Sequence, residues 1–139
     1  PYNLLILQTE AAKLYGYSPK DTLAYTQTLR EKYKAISYNR SDCQYLPEKI
    51  FEQSKGILEA VRTNLGEQDF LSKANLSIKS KAFNDKNLSA HYGIIPLNSK
   101  FMKRENILLI VLNWNAMVLN LTHLQIKLPK MASEEYLAI

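Results

Sequence analysis

The sequence predicts a single, mainly helical (α+β) domain with a small β element. Its 139 residues are the length of one ordinary domain. Hydrophobic residues make up 46% of the chain and charged residues 22%, a balance that argues against a disordered chain and against a membrane-spanning one. Apolar residues also repeat with the 3.6-residue period of a helix over several segments, whereas alternating β patterns are short.

Two helices are predicted at the beginning of the chain. The first should end at Gly16, because glycine adopts the left-handed backbone conformation at little cost. The second should span residues 19–34, with Ser18 as its N-cap and Pro19 in its first turn. The apolar faces of the two helices are predicted to consist, in turn, of Leu4, Leu7, Ala11 and Leu14, and of Tyr25, Leu29, Tyr33 and Ile36.

The next part of the chain alternates between irregular and helical patterns. The helical period fails over residues 35–43, which predicts a short extended segment or loop. A third helix is predicted over residues 47–65, with Pro47 in the first turn and Gly66 at its end. Beyond that helix, residues 67–88 form a polar stretch.

The remaining segments are predicted with the same rules. The polar stretch should be a loop with one short strand at residues 76–78, and it is locally basic through Lys73, Lys79, Lys81 and Lys86. A long apolar helix is predicted over residues 103–119, and residues 125–128 alternate like the start of a strand. The apolar run at 107–121 is short for a bilayer span and contains three asparagines, which favours a buried helix.

The charge balance points to an anionic partner. Eighteen lysines and arginines against thirteen acidic residues leave a formal charge of +5, which would attract nucleic acid before other partners. A basic domain with no clustered charge is equally compatible with these numbers. The single cysteine, Cys43, excludes an internal disulfide and fits a reducing cytoplasm. The chain begins at Pro1 without a leader, and we expect a cytoplasmic piece of a longer protein.

Several common catalytic motifs are absent from the sequence. It contains no glycine-rich phosphate loop, no zinc-binding His-Glu-x-x-His helix and no paired aspartates for magnesium. A thiol nucleophile formed by Cys43 with His91 or His123 is possible on residue type alone, but a lone cysteine more often packs inertly.

Four segments in fixed order along residues 1–97 carry a more specific pattern. They are Pro1-Tyr2-Asn3-Leu4-Leu5-Ile6-Leu7-Gln8, Tyr15-Gly16-Tyr17-Ser18-Pro19, the segment from Leu29 to Pro47 that contains Tyr38-Asn39-Arg40-Ser41-Asp42, and Ser89-Ala90-His91-Tyr92-Gly93-Ile94-Ile95-Pro96. In this order they resemble the type IA DNA topoisomerases, most closely the topoisomerase III branch. The third segment is similar to that family's active-site signature, Tyr-x-Arg-Ser/Thr-Asp.

The resemblance implies a role for each matching residue. Tyr38 would be the nucleophile that forms a transient 5′-phosphotyrosine, and Arg40 would clamp the phosphate. His91 would contact the DNA backbone, and Asp42 would either pair with Arg40 or hold the loop. The implied substrate is single-stranded DNA.

The resemblance also implies a fold, a domain division and a cofactor. Residues 1–121 would be the active-site tyrosine domain, of winged-helix or catabolite-activator type, and residues 122–139 the return into a neighbouring arch domain or an irregular tail. The parent enzyme would use Mg²⁺ bound in a separate Toprim domain, so its ligands are not in this chain, and it would need no nucleotide cofactor. We therefore expect the isolated fragment to fold and to bind single-stranded DNA weakly, but not to relax supercoils.

Elementary chemistry supports these residue types at this spacing. Little phenolate exists at neutral pH because the ordinary pKa of tyrosine is about 10, so nearby positive charge would help the attack. In an extended segment residues i and i+2 face the same side, which would place Tyr38 and Arg40 beside one phosphate. The planar guanidinium can grip two phosphate oxygens and stabilise the charge of the transition state.

Some positions depart from the family pattern, and other interpretations stay open. Ser37 stands for a threonine, Asn39 for a proline or methionine, and Leu97 for a small hydroxyl residue; the match weakens after Pro96. Tyr38 could be a packing residue, Arg40 and Asp42 a surface pair, and His91 a core histidine. At the level of the whole chain, the alternatives are a noncatalytic basic module that binds DNA or a protein partner, and an inactive paralogue.

Overall fold

A computed structural model describes residues 1–65, 69–72 and 74–100. The helices are α1 (Leu4–Tyr15), α2 (Pro19–Glu31), α3 (Glu48–Glu52), α4 (Ser54–Leu65) and α5 (Asp69–Ser72), followed by a 3₁₀ turn at Asp85–Asn87. The mainly helical class is therefore confirmed. The predicted helix at 103–119, the predicted strand at 125–128 and the proposed domain boundary after residue 121 lie outside the described residues. None of the helices in the described ranges has the length and hydropathy of a membrane span.

Helix α1 forms where the sequence predicts it. Asn3 caps its first turn by accepting a hydrogen bond from the Ile6 N–H at 2.9 Å. Gly16 ends it in the left-handed conformation with φ 71°, as expected. Leu7 is buried, but Leu14 is 55% exposed, so the predicted apolar face was wrong at its last position. α1 packs against α2, and its buried residues are Leu7 and Ala11.

Helix α2 ends earlier than predicted. Ser18 caps it, accepting from the Asp21 N–H at 3.1 Å, but the last helical residue is Glu31 and not Lys34. Lys34 instead has φ 52°, a left-handed conformation that costs a residue with a side chain about 1 kcal/mol. It redirects the chain, and the Ala35 N–H then donates to the Leu29 carbonyl at 2.9 Å.

The buried face of α2 also differs from the predicted stripe. Thr22, Thr26 and Leu29 are fully buried, whereas Tyr25 is 40% exposed. The two threonines can be buried because each hydroxyl donates to a backbone carbonyl of the helix or its cap, to Ser18 and Leu23 respectively. The prediction from hydrophobicity that Tyr25 belongs to the buried face of α2 was therefore wrong.

The predicted third helix is two helices. Its path is interrupted at Gln53, whose N–H donates to Ile50 at 3.0 Å in an i to i−3 bond, and α4 begins at the next residue. Such a bond tightens the turn and changes the direction of the chain. α3 packs against α4, and α4 contributes Ile57, Leu58 and Val61 to the core.

The small β element consists, in the part described, of three isolated bridges: Tyr2 with Ile94, Ile36 with Pro96, and Leu46 with Phe83. The strand predicted at residues 76–78 does not form. Those residues are in a turn, in which the Asn75 side chain accepts from the Ser77 N–H at 2.9 Å. The asparagine side chain thus replaces the strand partner that the backbone would need.

Candidate active site

The segment from Ser37 to Gln44 alternates strictly between buried and outward-facing side chains. The buried residues are Ser37, Asn39, Ser41 and Cys43, and the residues between them, Tyr38, Arg40, Asp42 and Gln44, are partly or largely exposed. This alternation of burial has the period of an extended strand, but residues 39 and 40 form a turn, and isolated bridges lie only near the ends of the segment. Tyr38 and Arg40 are both at least partly exposed, and their placement beside one phosphate stays a prediction.

Short polar side chains fix this segment to two other parts of the fold. Ser37 Oγ donates to the Gly93 carbonyl and accepts from the Ile95 N–H, both at 2.9 Å. Asn39 Nδ2 donates to Thr26 Oγ1 in α2 at 3.2 Å, within the core. Because each inward side chain is hydrogen-bonded, the buried polar groups are satisfied and the outward ones are held in register.

The Tyr38 ring is in contact with two cationic or ionisable side chains. The His91 ring lies against it with the centroids 4.0 Å apart and the planes inclined by 33°. The Arg30 guanidinium carbon lies over the Tyr38 ring, 4.6 Å from its centroid. Tyr38 and His91 are 53 positions apart in the sequence, so only the fold brings them together.

These side chains line one open cleft with a volume of about 500 Å³. Its lining comprises Arg30, Glu31, Lys34, Ile36, Ser37, Tyr38, His91, Tyr92 and Leu97. Two of these, Arg30 and Lys34, are cationic side chains, and the single carboxylate, Glu31, accepts a hydrogen bond from Gln27 Nε2 at 3.1 Å. Burial raises the pKa of Tyr92, which therefore stays a neutral phenol. The cleft has the charge of an anion-binding site.

Arg40 and Asp42 are exposed, are not among the residues that line this cleft, and do not pair with each other. Asp42 Oδ1 accepts from Ser89 Oγ at 3.0 Å, and Ser89 Oγ also lies 3.0 Å from the His91 carbonyl oxygen. The one ion pair within residues 1–65, 69–72 and 74–100 joins Lys79 to Glu48. Of the two arrangements predicted for Asp42, the contacts match the one in which it holds the loop.

Sequence reasoning missed Arg30 and Lys34 as cleft residues. Arg30 lies in the last turn of α2, and Lys34 follows three residues after the end of that helix. A partial signal was available, because Arg30 stands on the helix that leads directly into the active-site segment. The sequence prediction extended the helix to residue 34, so it did not indicate that both residues line the cleft with Tyr38.

The thiol alternative receives no support from the contacts of Cys43. The thiol is buried, and its Sγ lies 3.8 Å from the backbone carbonyl oxygens of Tyr45 and Asn87. His91 uses its ring against Tyr38, and His123 lies outside the described residues. The same ranges contain no group of three His, Cys, Asp or Glu residues close enough to bind a metal ion together.

Comparison with known proteins decides the family. A family model described as DNA topoisomerase matches residues 1–120. The chain belongs to the DNA topoisomerase family. Among its curated relatives, DNA topoisomerase 3 of Vibrio cholerae is 43% identical over 101 residues, which cover 72% of this chain and 16% of that protein. DNA topoisomerase 3 of Pasteurella multocida is 39% identical over 97 residues, covering 69% of this chain and 15% of that protein.

A third topoisomerase, DNA topoisomerase 3 of Haemophilus influenzae, is also 39% identical over 97 residues, again 69% of this chain and 15% of the relative. The chain thus spans about one sixth of the length of the curated topoisomerases that it matches. The resemblance inferred from four short segments is confirmed at the level of the family and of the topoisomerase III branch.

Proposed function

We propose that this chain is the tyrosine-bearing part of a type IA DNA topoisomerase that cuts and rejoins one DNA strand through a covalent bond to Tyr38. The observation that carries the proposal is the position of the Tyr38 ring in a cationic cleft, in contact with His91 and Arg30. Its substrate would be single-stranded DNA, and it would act in the cytoplasm together with the other domains of its parent enzyme.

The reaction exchanges one phosphodiester for another. The Tyr38 hydroxyl oxygen attacks a backbone phosphorus, the bond from phosphorus to the sugar 3′ oxygen breaks, and the phenolic proton is balanced by the proton that the freed 3′ hydroxyl gains. The strand remains attached by its 5′ phosphate to the tyrosine. Attack by the same 3′ hydroxyl reverses the step, so the bond energy is conserved and no ATP is consumed.

The residues around Tyr38 supply what this reaction needs from the protein. Arg40, an exposed residue two positions after Tyr38, would hold two oxygens of the attacked phosphate with its planar fork, and His91 would contact the phosphate backbone. Positive charge near the phosphorus stabilises the additional negative charge of the transition state. Asp42 would act indirectly, through the Ser89 bond that fixes the loop bearing His91.

Mg²⁺ is expected to serve the parent enzyme from outside this chain. The residues of the cleft do not fit a magnesium site, because they offer one carboxylate among cationic groups. Without the domain that would supply the metal, we expect the isolated chain to bind single-stranded DNA weakly and to relax no supercoiled plasmid.

The test of the proposal is Tyr38→Phe in the full-length parent. The variant should form no covalent adduct with single-stranded DNA and should relax no plasmid, while it still binds DNA. Tyr45→Phe is the matched control, because Tyr45 is a surface tyrosine seven positions further on and 38% exposed. It should keep full activity. Relaxation by the Tyr38 variant, or an adduct mapped to another residue, would disprove the assignment.

The same experiment separates the enzyme from a noncatalytic basic module. A module that only binds would keep its function in Tyr38→Phe and would lose affinity when basic loop residues such as Lys79 and Lys81 are neutralised. An inactive paralogue would form no adduct even in the native parent.

A further inference from the structure

Beyond the assigned residues, the cleft contains a cation in direct contact with the nucleophile that no motif in the sequence marks. The Arg30 guanidinium carbon is 4.6 Å from the centroid of the Tyr38 ring. Arginine over an aromatic face at this distance is a favourable cation–π contact. Arg30 is partly buried in the last turn of α2, so its side chain approaches the ring from a helix and not from a mobile loop.

The charge of Arg30 is not neutralised by a protein partner within the described ranges. The neighbouring carboxylate, Glu31, accepts from Gln27 Nε2, and the ion pair found there joins Lys79 to Glu48 at a different surface. The guanidinium therefore acts on the tyrosine with its full charge, reduced only by solvent in the open cleft.

We propose that Arg30 is a positioning residue for Tyr38: it holds the ring for attack and stabilises the negative charge that the ring carries in the transition state. This inference rests on the proposed function. A phenolate spreads its charge into the ring, so a cation over the ring face attracts the anionic form more strongly than the neutral phenol. In the forward direction that charge develops as the phenol loses its proton. In the reverse direction it develops as the phenolate leaves phosphorus.

The proposal makes a specific kinetic prediction. Cutting and resealing pass through the same transition state, so loss of the Arg30 charge should slow both steps. Affinity for single-stranded DNA should change little, because the guanidinium is directed at the ring and not at a phosphate. If Arg30 contacted a phosphate instead, its loss would mainly weaken DNA binding and reduce the salt dependence of that binding.

The test uses Arg30→Gln and Arg30→Lys in the full-length parent, with a single-stranded oligonucleotide as probe. Arg30→Gln should lower the single-turnover rates of adduct formation and of resealing by about tenfold. Its dissociation constant for the oligonucleotide should stay within about twofold of the native value. Arg30→Lys, which keeps a charge that can lie over the ring, should recover most of both rates.

Lys32→Gln is the matched control. Lys32 Nζ lies 5.3 Å from the centroid of the Tyr33 ring, so the substitution removes a cation–tyrosine contact two positions away but outside the cleft. It should leave both rates unchanged. If Arg30→Gln is poorly folded, Arg30→Met keeps the apolar stem of the side chain without its charge and should show the same kinetic defect.

Each result has a distinct meaning. Native rates in Arg30→Gln, a loss of affinity in proportion to the loss of rate, or no recovery in Arg30→Lys would each overturn the role of Arg30. If one of these results is found while Tyr38→Phe abolishes the adduct in the same preparation, only the role of Arg30 fails. If Tyr38→Phe still forms it, the proposed function fails as well.

Discussion

Removal of the Ser37 hydroxyl is expected to destabilise the active-site segment strongly. Ser37 is 5% exposed, and its hydroxyl is bonded at 2.9 Å both to the Gly93 carbonyl and to the Ile95 N–H. Ser37→Ala leaves both backbone groups buried without this partner. Because each unsatisfied buried group costs about 1–3 kcal/mol, loss of both bonds should lower the free energy of unfolding by about 2–6 kcal/mol.

The measurement is urea unfolding of the chain of 139 residues, followed by circular dichroism. Ser77→Ala is the control, since Ser77 is an exposed serine in a turn and should change the free energy of unfolding by less than about 0.5 kcal/mol. Ser37→Thr keeps the hydroxyl and should cost less than the alanine variant. A free energy of unfolding for Ser37→Ala equal to that of Ser77→Ala would refute the reasoning, because it would mean that the two bonds do not hold the segment.

Three further predictions concern the backbone and the tyrosines. Gly93→Ala would place a Cβ 2.6 Å from Pro1 Cβ and should cost about 1–3 kcal/mol in urea unfolding, whereas Gly56→Ala, opposed by the movable Asn98 side chain at 3.0 Å, should cost less. Lys34→Gly should raise the free energy of unfolding by about 0.5–1 kcal/mol, because it relieves the left-handed φ of 52°. The same change should weaken single-stranded DNA binding and reduce its salt dependence if Lys34 contacts a phosphate, and unchanged binding would remove Lys34 from the interface. Burial raises the pKa values of Tyr2, Tyr15, Tyr17 and Tyr92 above the ordinary value of 10.0, and a hydrogen bond to Glu10 adds to the rise for Tyr2. Their contribution to thermal stability should therefore be complete below about pH 10 and fall above it. A melting temperature that rises between about pH 10 and 11 would contradict this.

The sequence predicted helix ends well where a single residue determines them. Gly16 and Ser18 act through local backbone geometry, which a sequence records directly. The break at Gln53 and the turn at Lys34 could not be predicted in this way, because neither residue type favours the conformation it adopts. Gln53 lies between α3 and α4, which pack against each other, and Lys34 lies between α2 and the active-site segment.

In the candidate site, too, some features could be predicted from the sequence and others could not. Tyr38, Arg40 and His91 were predicted because the segments that contain them resemble family motifs. The partners of the inward residues were not predictable, since Ser37, Asn39 and Ser41 bond to atoms distant in sequence. Arg30 was missed for a related reason: its contact with Tyr38 depends on where α2 ends and on how the chain turns after it.

The hydrogen bonds between the active-site segment and the loop that carries His91 bear on how the two would move. Ser41 Oγ lies 3.4 Å from the His91 carbonyl oxygen, and Ser89 Oγ donates to Asp42, so hydrogen bonds join the loop that carries His91 to the segment that carries Tyr38. In an enzyme that must separate the two ends of a cut strand, the tyrosine-linked 5′ end would then travel with His91 still beside it. The pair would reach the returning 3′ hydroxyl already assembled, and only that hydroxyl would have to find its place again.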